Sequence, residues 1–113
     1  MTGHNISHID IRRIESGEFY FVFRLPGNGA FVSIFFGCMS EVMAAIEESQ
    51  RNSEEDAYYF CKSTPANDSY FVFGSKSLPI GQSTIYKEAS LMNVGLQYMQ
   101  KHLQRAEVVD LTI

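Results

Sequence analysis

The sequence has no tryptophan, three prolines and two cysteines, and no apolar run approaches the length of a membrane span. Two cysteines, Cys38 and Cys61, are too few to staple a small domain, which excludes a disulfide scaffold. Cations are sparse: nine Lys and Arg stand against thirteen Asp and Glu, for a net charge of −4 and a pI near 5.2. Only Arg12 and Arg13 are adjacent, so no basic stripe is available to neutralise phosphates. That argues against nucleic acid as a partner, and against an anionic membrane surface. Met1 to His8 lacks a charged segment followed by an apolar one, so no signal peptide is expected, and a reduced cytoplasmic protein is the default reading.

What is present favours a packed domain. The chain has 113 residues, 45% hydrophobic and 19% charged, enough to bury a core within one domain spanning 1–113. Aromatics reach 13%, through nine Phe and six Tyr, which favours strands over a pure helix bundle.

Self-similarity organises the chain. Tyr20-Phe21-Val22-Phe23 recurs as Tyr70-Phe71-Val72-Phe73, an offset of 50 residues. The same offset matches Ser33 with Ser83, Ser40 with Ser90 and Gln50 with Gln100, making seven identities in 31 positions. Ordinary residue usage would give roughly two. Two tandem repeats follow, the first about 9–57 and the second about 58–113.

Each repeat reads as strands followed by a helix. Ile9, Ile11 and Ile14 mark a first strand, closed by a turn at 15–18. Phe19 to Leu25 is a second, with Phe21 and Phe23 on one face and Tyr20 and Val22 on the other. Pro26-Gly27-Asn28-Gly29 is a hairpin turn, and Phe31 to Phe36 a third strand. The period then becomes helical from Ser40, an expected N-cap, to about Asn52. Ser53 to Asp56 reads as a solvated acidic connector. In the second repeat, strands are expected at 57–61, 70–73 and 78–86. A helix follows over about 88–104, with Met92, Leu96, Met99 and Leu103 as its stripe. Val108, Val109 and Leu111 make a closing strand.

These motifs resemble the YegP-like family of small bacterial proteins of unknown function. That family's unit has a Phe-x-Phe-x-Leu strand, an Asn-Gly turn, a strand ending in an aromatic, and a helix carrying Gly-Ile. The matching residues are Phe21, Phe23, Leu25, Asn28, Gly29, Ser33, Phe36 and Ala45-Ile46, then Phe71, Phe73, Ser83, Tyr86, Gly95-Leu96 and Met99. Ala45 departs from the family's Gly, and the second copy has no Asn-Gly turn. The resemblance implies an α+β fold: two β-β-β-α-β repeats sharing one mainly antiparallel sheet, with both helices on one face. The strand after each helix is exchanged between repeats.

Chemistry is harder to find. Cys38 lies at the lead-in to a helix, where backbone dipoles favour a thiolate, but neither cysteine belongs to a Cys-x-x-Cys motif. The plainer reading makes both small buried residues. His4 and His8 have helical ligand spacing without a carboxylate or thiol cluster, and His102 stands alone late in the second helix. No nucleophile motif is present, and Glu47-Glu48 and Glu54-Glu55 read as solvated charges. No catalytic residue, cofactor or metal is therefore expected.

The least bland feature is the sheet face turned away from the helices, where alternation sends Tyr20, Val22, Tyr70 and Val72. The expected function is a non-enzymatic protein-binding or assembly module using that face, with a second copy or another protein as partner. The alternatives are a small-molecule or peptide site between the repeats, and a redox response through Cys38 or Cys61.

Overall fold

The structure, a computed structural model, describes residues 7–75 and 77–113. Its elements in chain order are β1 (His8–Arg13), β2 (Phe19–Leu25), β3 (Gly29–Ser33), α1 (Met39–Arg51), β4 (Tyr59–Ser63), β5 (Ser69–Gly74), β6 (Pro79–Ser83), α2 (Ala89–His102) and β7 (Glu107–Asp110). The strands form one sheet in the order β4-β5-β6-β3-β2-β1-β7. Every neighbouring pair is antiparallel except β1 with β7. The strand after α1 thus opens the second half, and the strand after α2 closes beside the first.

Positions fifty apart make the same bonds. Phe21 N–H donates to Ser33 Oγ at 2.8 Å, and Phe71 N–H to Ser83 Oγ at 3.0 Å. Gly17 and Asn67, with φ of 95° and 70°, close equivalent turns in which the Ile14 and Thr64 amides reach the Glu18 and Asp68 carbonyls. The central β3–β6 ladder pairs Phe31 with Ser83, Val32 with Gln82 and Ser33 with Gly81. A shift of fifty maps that ladder onto itself.

The β2–β3 turn forms as its residues dictate: Gly27 and Asn28 hold φ of 70° and 66°, the left-handed pair of a tight hairpin. Several boundaries differ from the sequence expectation. β3 stops at Ser33 rather than Phe36, because the Ser33 hydroxyl takes the Phe21 amide and donates to the Ile34 carbonyl, interrupting the ladder. Pairing resumes only at the Phe19–Phe36 bridge. Ile14 lies in the turn beyond β1, and β4 starts at Tyr59 because Asp56–Tyr58 form a 3-10 turn. The N-cap of α1 is Cys38, not Ser40. The Cys38 side chain makes no capping bond, and the Glu41 carboxylate instead accepts the Gly37 N–H at 3.0 Å.

Both helices cover the same face and share one core. Phe21, Phe23, Phe31, Phe71 and Phe73 are fully buried there with Ile9, Ile11, Val42, Ile46, Met99 and Leu103. Leu96, expected in the apolar stripe of the second helix, is only partly buried. The buried stripe of α2 runs instead through Met92, Gly95 and Met99, since the Tyr86 ring lies over Gly95. Gln50 reaches from α1 to the Leu103 and Ala106 carbonyls after α2, while Gln100 of α2 reaches Asp56 after α1. Each helix is thereby tied to the turn that follows the other.

Candidate functional site

Period-two alternation leaves the second face of the sheet without a helix. Cross-strand partners run along it as one row through all seven strands: Phe60, Val72, Gln82, Val32, Val22, Asp10 and Val109. Val32 at the centre is 40% exposed, and Ile34 and Phe35 at the end of β3 are 48% and 54% exposed. The Phe35 ring stands edge-on to Tyr20, with centroids 5.8 Å apart. Two hollows of about 370 and 380 Å³ meet on this face around Val72 and Pro79.

The four residues expected here stand where alternation sends them, each half-buried opposite the phenylalanine core. Val22 and Val72 share the central row. The two tyrosines do not come together: Tyr20 pairs with Arg12 and Tyr70 with Lys62, on opposite sides of that row. Arg24, beside Ala30, adds a third cation to the face.

A second concavity, of about 280 Å³, lies on the helix side between α1 and the start of β6. Phe36, Ala45, Leu78 and Ile80 give it apolar walls, and Glu41 and Glu48 line it from the helix. The Glu48 carboxylate accepts the Tyr58 hydroxyl at 3.3 Å, and burial followed by Glu48 raises the Tyr58 phenol above its ordinary range. Nothing in the pattern of α1 alone marks this site. Its signal lay in comparing the halves: Glu41 and Glu48 stand where the second half has Leu91 and Tyr98.

No protein-family model and no curated protein matches the chain. Two solved structures do. The solution NMR structure of YegP from E. coli, a protein of unknown function, superposes with a TM-score of 0.86 at 18% identity, over 97% of this chain and 97% of that one. A UPF0339 protein from Shewanella oneidensis superposes at 0.86 with 21% identity, over 94% of this chain and 92% of that one. The chain has the YegP-like fold.

On the YegP-like fold the remaining candidates fall as follows. Cys38 and Cys61 are both exposed, which corrects the reading that made them buried core residues. Cys38 sits at the α1 N-cap with its Sγ 3.2 Å from Ser40 Oγ, where the turn into the helix faces solvent. Cys61 pairs with Phe71 on β4, the edge strand of the sheet. His8 is exposed on β1 beside Glu107, and His102 lies against Tyr98 with ring centroids 4.3 Å apart. His4 lies outside the described residues. Among those residues, no group of three or more His, Cys, Asp or Glu could hold a metal ion. None of their helices is long and apolar enough to cross a membrane. The acidic connector is not wholly solvated: Ser53 is 1% exposed and its carbonyl accepts the Tyr59 hydroxyl at 2.6 Å.

Proposed function

We propose that the protein is a non-enzymatic assembly module that pairs with a second copy of itself through the open sheet face. The observation that carries this reading is the continuous row from Phe60 to Val109, apolar but for Gln82 and Asp10. Seven strands about 4.8 Å apart and about five residues long present roughly 500 Å². Two copies would bury on the order of 1,000 Å² together, the lower bound of specific interfaces.

Charge supports a particular arrangement. Two residues to the same side of the central row, Lys62 stands on β4 and Glu107 on β7, at opposite edges of the sheet. A twofold axis along the strands at the sheet centre lays Lys62 of one copy over Glu107 of the other, with Val32 near the axis. We read the two halves as copies of one unit, which gives the face its near-symmetric outline about that centre.

Sedimentation by ultracentrifugation over a wide concentration range tests the proposal. The wild type should shift from monomer to dimer mass, and Tyr20→Ser with Tyr70→Ser, or Val32→Lys alone, should hold it at monomer. Lys62→Glu should weaken association, and adding Glu107→Lys should restore it. A wild type that remains monomeric throughout the range removes self-association.

A further inference from the structure

The two halves differ most beside their helices. Next to α2 the space is filled. The Tyr86 hydroxyl inserts against Gly29 and lies 2.7 Å from where a Gly95 Cβ would be, and Leu25 Cδ1 lies 3.5 Å from that same point. Tyr98 closes the wall, its ring tilted over Phe23 at 6.0 Å and its hydroxyl 2.9 Å from Ser7 Oγ. Next to α1, the positions fifty residues away are Phe36 for Tyr86, Pro79 for Gly29, Ala45 for Gly95, Ser75 for Leu25 and Glu48 for Tyr98. Each replacement removes bulk or adds charge, except Pro79 and Ala45, which occupy volume the tyrosine would need. The 280 Å³ cavity is what remains.

Its chemistry is specific. Glu41 and Glu48 are seven residues apart on α1, so they share one helix face about 10 Å apart along the axis. Ala44 and Ala45 lie between them, and Ile80 and Leu78 face them across the cavity. The site is an apolar trough with an anionic pole at each end. Glu41 accepts the Gly37 N–H and Glu48 the Tyr58 hydroxyl through one oxygen each, which leaves the second oxygen of both for an ammonium. A neutral ligand would use neither, and a lone cation would forgo the trough.

We propose that this cavity binds an aliphatic diamine, the methylene chain lying along Ala44 and Ala45 and an ammonium group at each glutamate. The proposal does not rest on the open sheet face, although Ile34, Ser75 and Pro79 at the rim of the sheet border both surfaces. Apolar burial supplies affinity, and the paired carboxylates select two cations over one. Because Glu41 is exposed and Glu48 half-exposed, each pole contributes about two- to fivefold in affinity rather than more.

The test is a titration of the full chain with 1,6-diaminohexane, hexylamine and 1,6-hexanediol, followed by backbone amide shifts in NMR. The diamine should bind saturably and tighter than hexylamine by about two- to fivefold, with the largest shifts at Ala44, Ala45 and Ile80. Glu41→Gln with Glu48→Gln should abolish the preference for the diamine. Ala44→Val with Ser75→Leu, which imports the residues found fifty positions away (Val94 and Leu25), should abolish binding of all three while leaving the remaining amide spectrum in place. Equal affinity for diamine and diol would overturn the proposal. So would shifts mapping to the open sheet face, or undiminished binding by the filled variant.

Discussion

Phe31 occupies the space over Gly81: a Cβ built at Gly81 would lie 2.7 Å from Phe31 Cζ. The two residues stand fifty apart on the central strands, so one aromatic ring serves both halves at the sheet centre. It stacks on Phe71 at 6.4 Å and meets Phe73 edge-on at 5.8 Å. The β3 backbone also closes on Gly81, with Ser33 Cα 2.7 Å from that Cβ position and the Val32 carbonyl nearer still. Gly81→Ala should therefore destabilise by about 2–4 kcal/mol, the cost of overpacking plus a backbone shift. Phe31→Ala should cost about 3–5 kcal/mol, as transfer and cavity terms add. Urea denaturation of both single variants and the double should show a cost below the sum, since removing the ring relieves part of the crowding. Strict additivity would mean that the ring does not hold the glycine in place.

Tyr86 and Gly95 make a second such pair. The Tyr86 hydroxyl is buried without a hydrogen-bond partner among the described residues, and burial raises its pKa. Tyr86→Phe should then be neutral or stabilising by up to about 1 kcal/mol, because it removes a desolvated polar group. Gly95→Ala alone should destabilise, as the new methyl meets that hydroxyl at 2.7 Å. In the Tyr86→Phe background the same alanine should become favourable by about 0.5–1 kcal/mol, the helix propensity gain over glycine. The first half already carries this combination as Phe36 with Ala45. Thermal denaturation of the four proteins decides it; an alanine equally harmful in both backgrounds would mean that the hydroxyl is not the obstacle.

Much of this architecture was legible because it rests on alternation and on turn chemistry. Phe21, Phe23, Phe71 and Phe73 had to share a face, and Gly27 and Asn28 had to turn. The identities at Ser33, Ser83, Gln50 and Gln100 marked bonds that no periodicity reveals: the serines replace ladder partners, and the glutamines tie each helix to the opposite turn. What could not be read was set by size in three dimensions. Leu96 fits the apolar stripe, yet Tyr86 shifts that stripe to Gly95. The carboxylates of Glu41 and Glu48 read as ordinary helix surface until the β6 turn is folded opposite them. The cysteines read as buried small residues, although one falls at a helix cap and the other near a sheet edge.

Alkaline stability follows from Tyr59. Burial, with Asp56 adding to it, pushes the Tyr59 phenol far above its ordinary value near 10. Tyr58 and Tyr86 are raised as well, each chiefly by burial. The folded chain thus keeps protons that the unfolded chain releases. Stability is intact below about pH 10 and falls as pH rises toward the folded value, by about 1.4 kcal/mol per pH unit for a fully shifted group. Tyr59→Phe should lower stability by about 1 kcal/mol at pH 7, through loss of the bond to Ser53. It should also flatten the decline between pH 10 and 11.5. Urea midpoints at several pH values measure both, and an unchanged alkaline slope would exclude Tyr59 as its source.

The two buried serines allow the two halves to be compared. Ser33 and Ser83 are 7% and 3% exposed, and each accepts a core amide while donating to the next carbonyl, Ile34 in one case and Thr84 in the other, at 2.8 Å. Replacing either by alanine leaves the Phe21 or Phe71 N–H without its partner beneath the helices. An unsatisfied buried donor costs about 1–3 kcal/mol, and the missing hydroxyl leaves space too apolar for water to repair cheaply. Ser33→Ala and Ser83→Ala should therefore destabilise by similar amounts. Native-state hydrogen exchange should report each loss locally, with the Phe21 amide accelerated in the first variant and the Phe71 amide in the second. Serine to threonine would keep the hydroxyl but crowd the ladder, so it should retain protection at those amides while costing stability. If alanine leaves both amides as protected as in the wild type, the serines are packing residues and their hydroxyl bonds contribute nothing to the sheet.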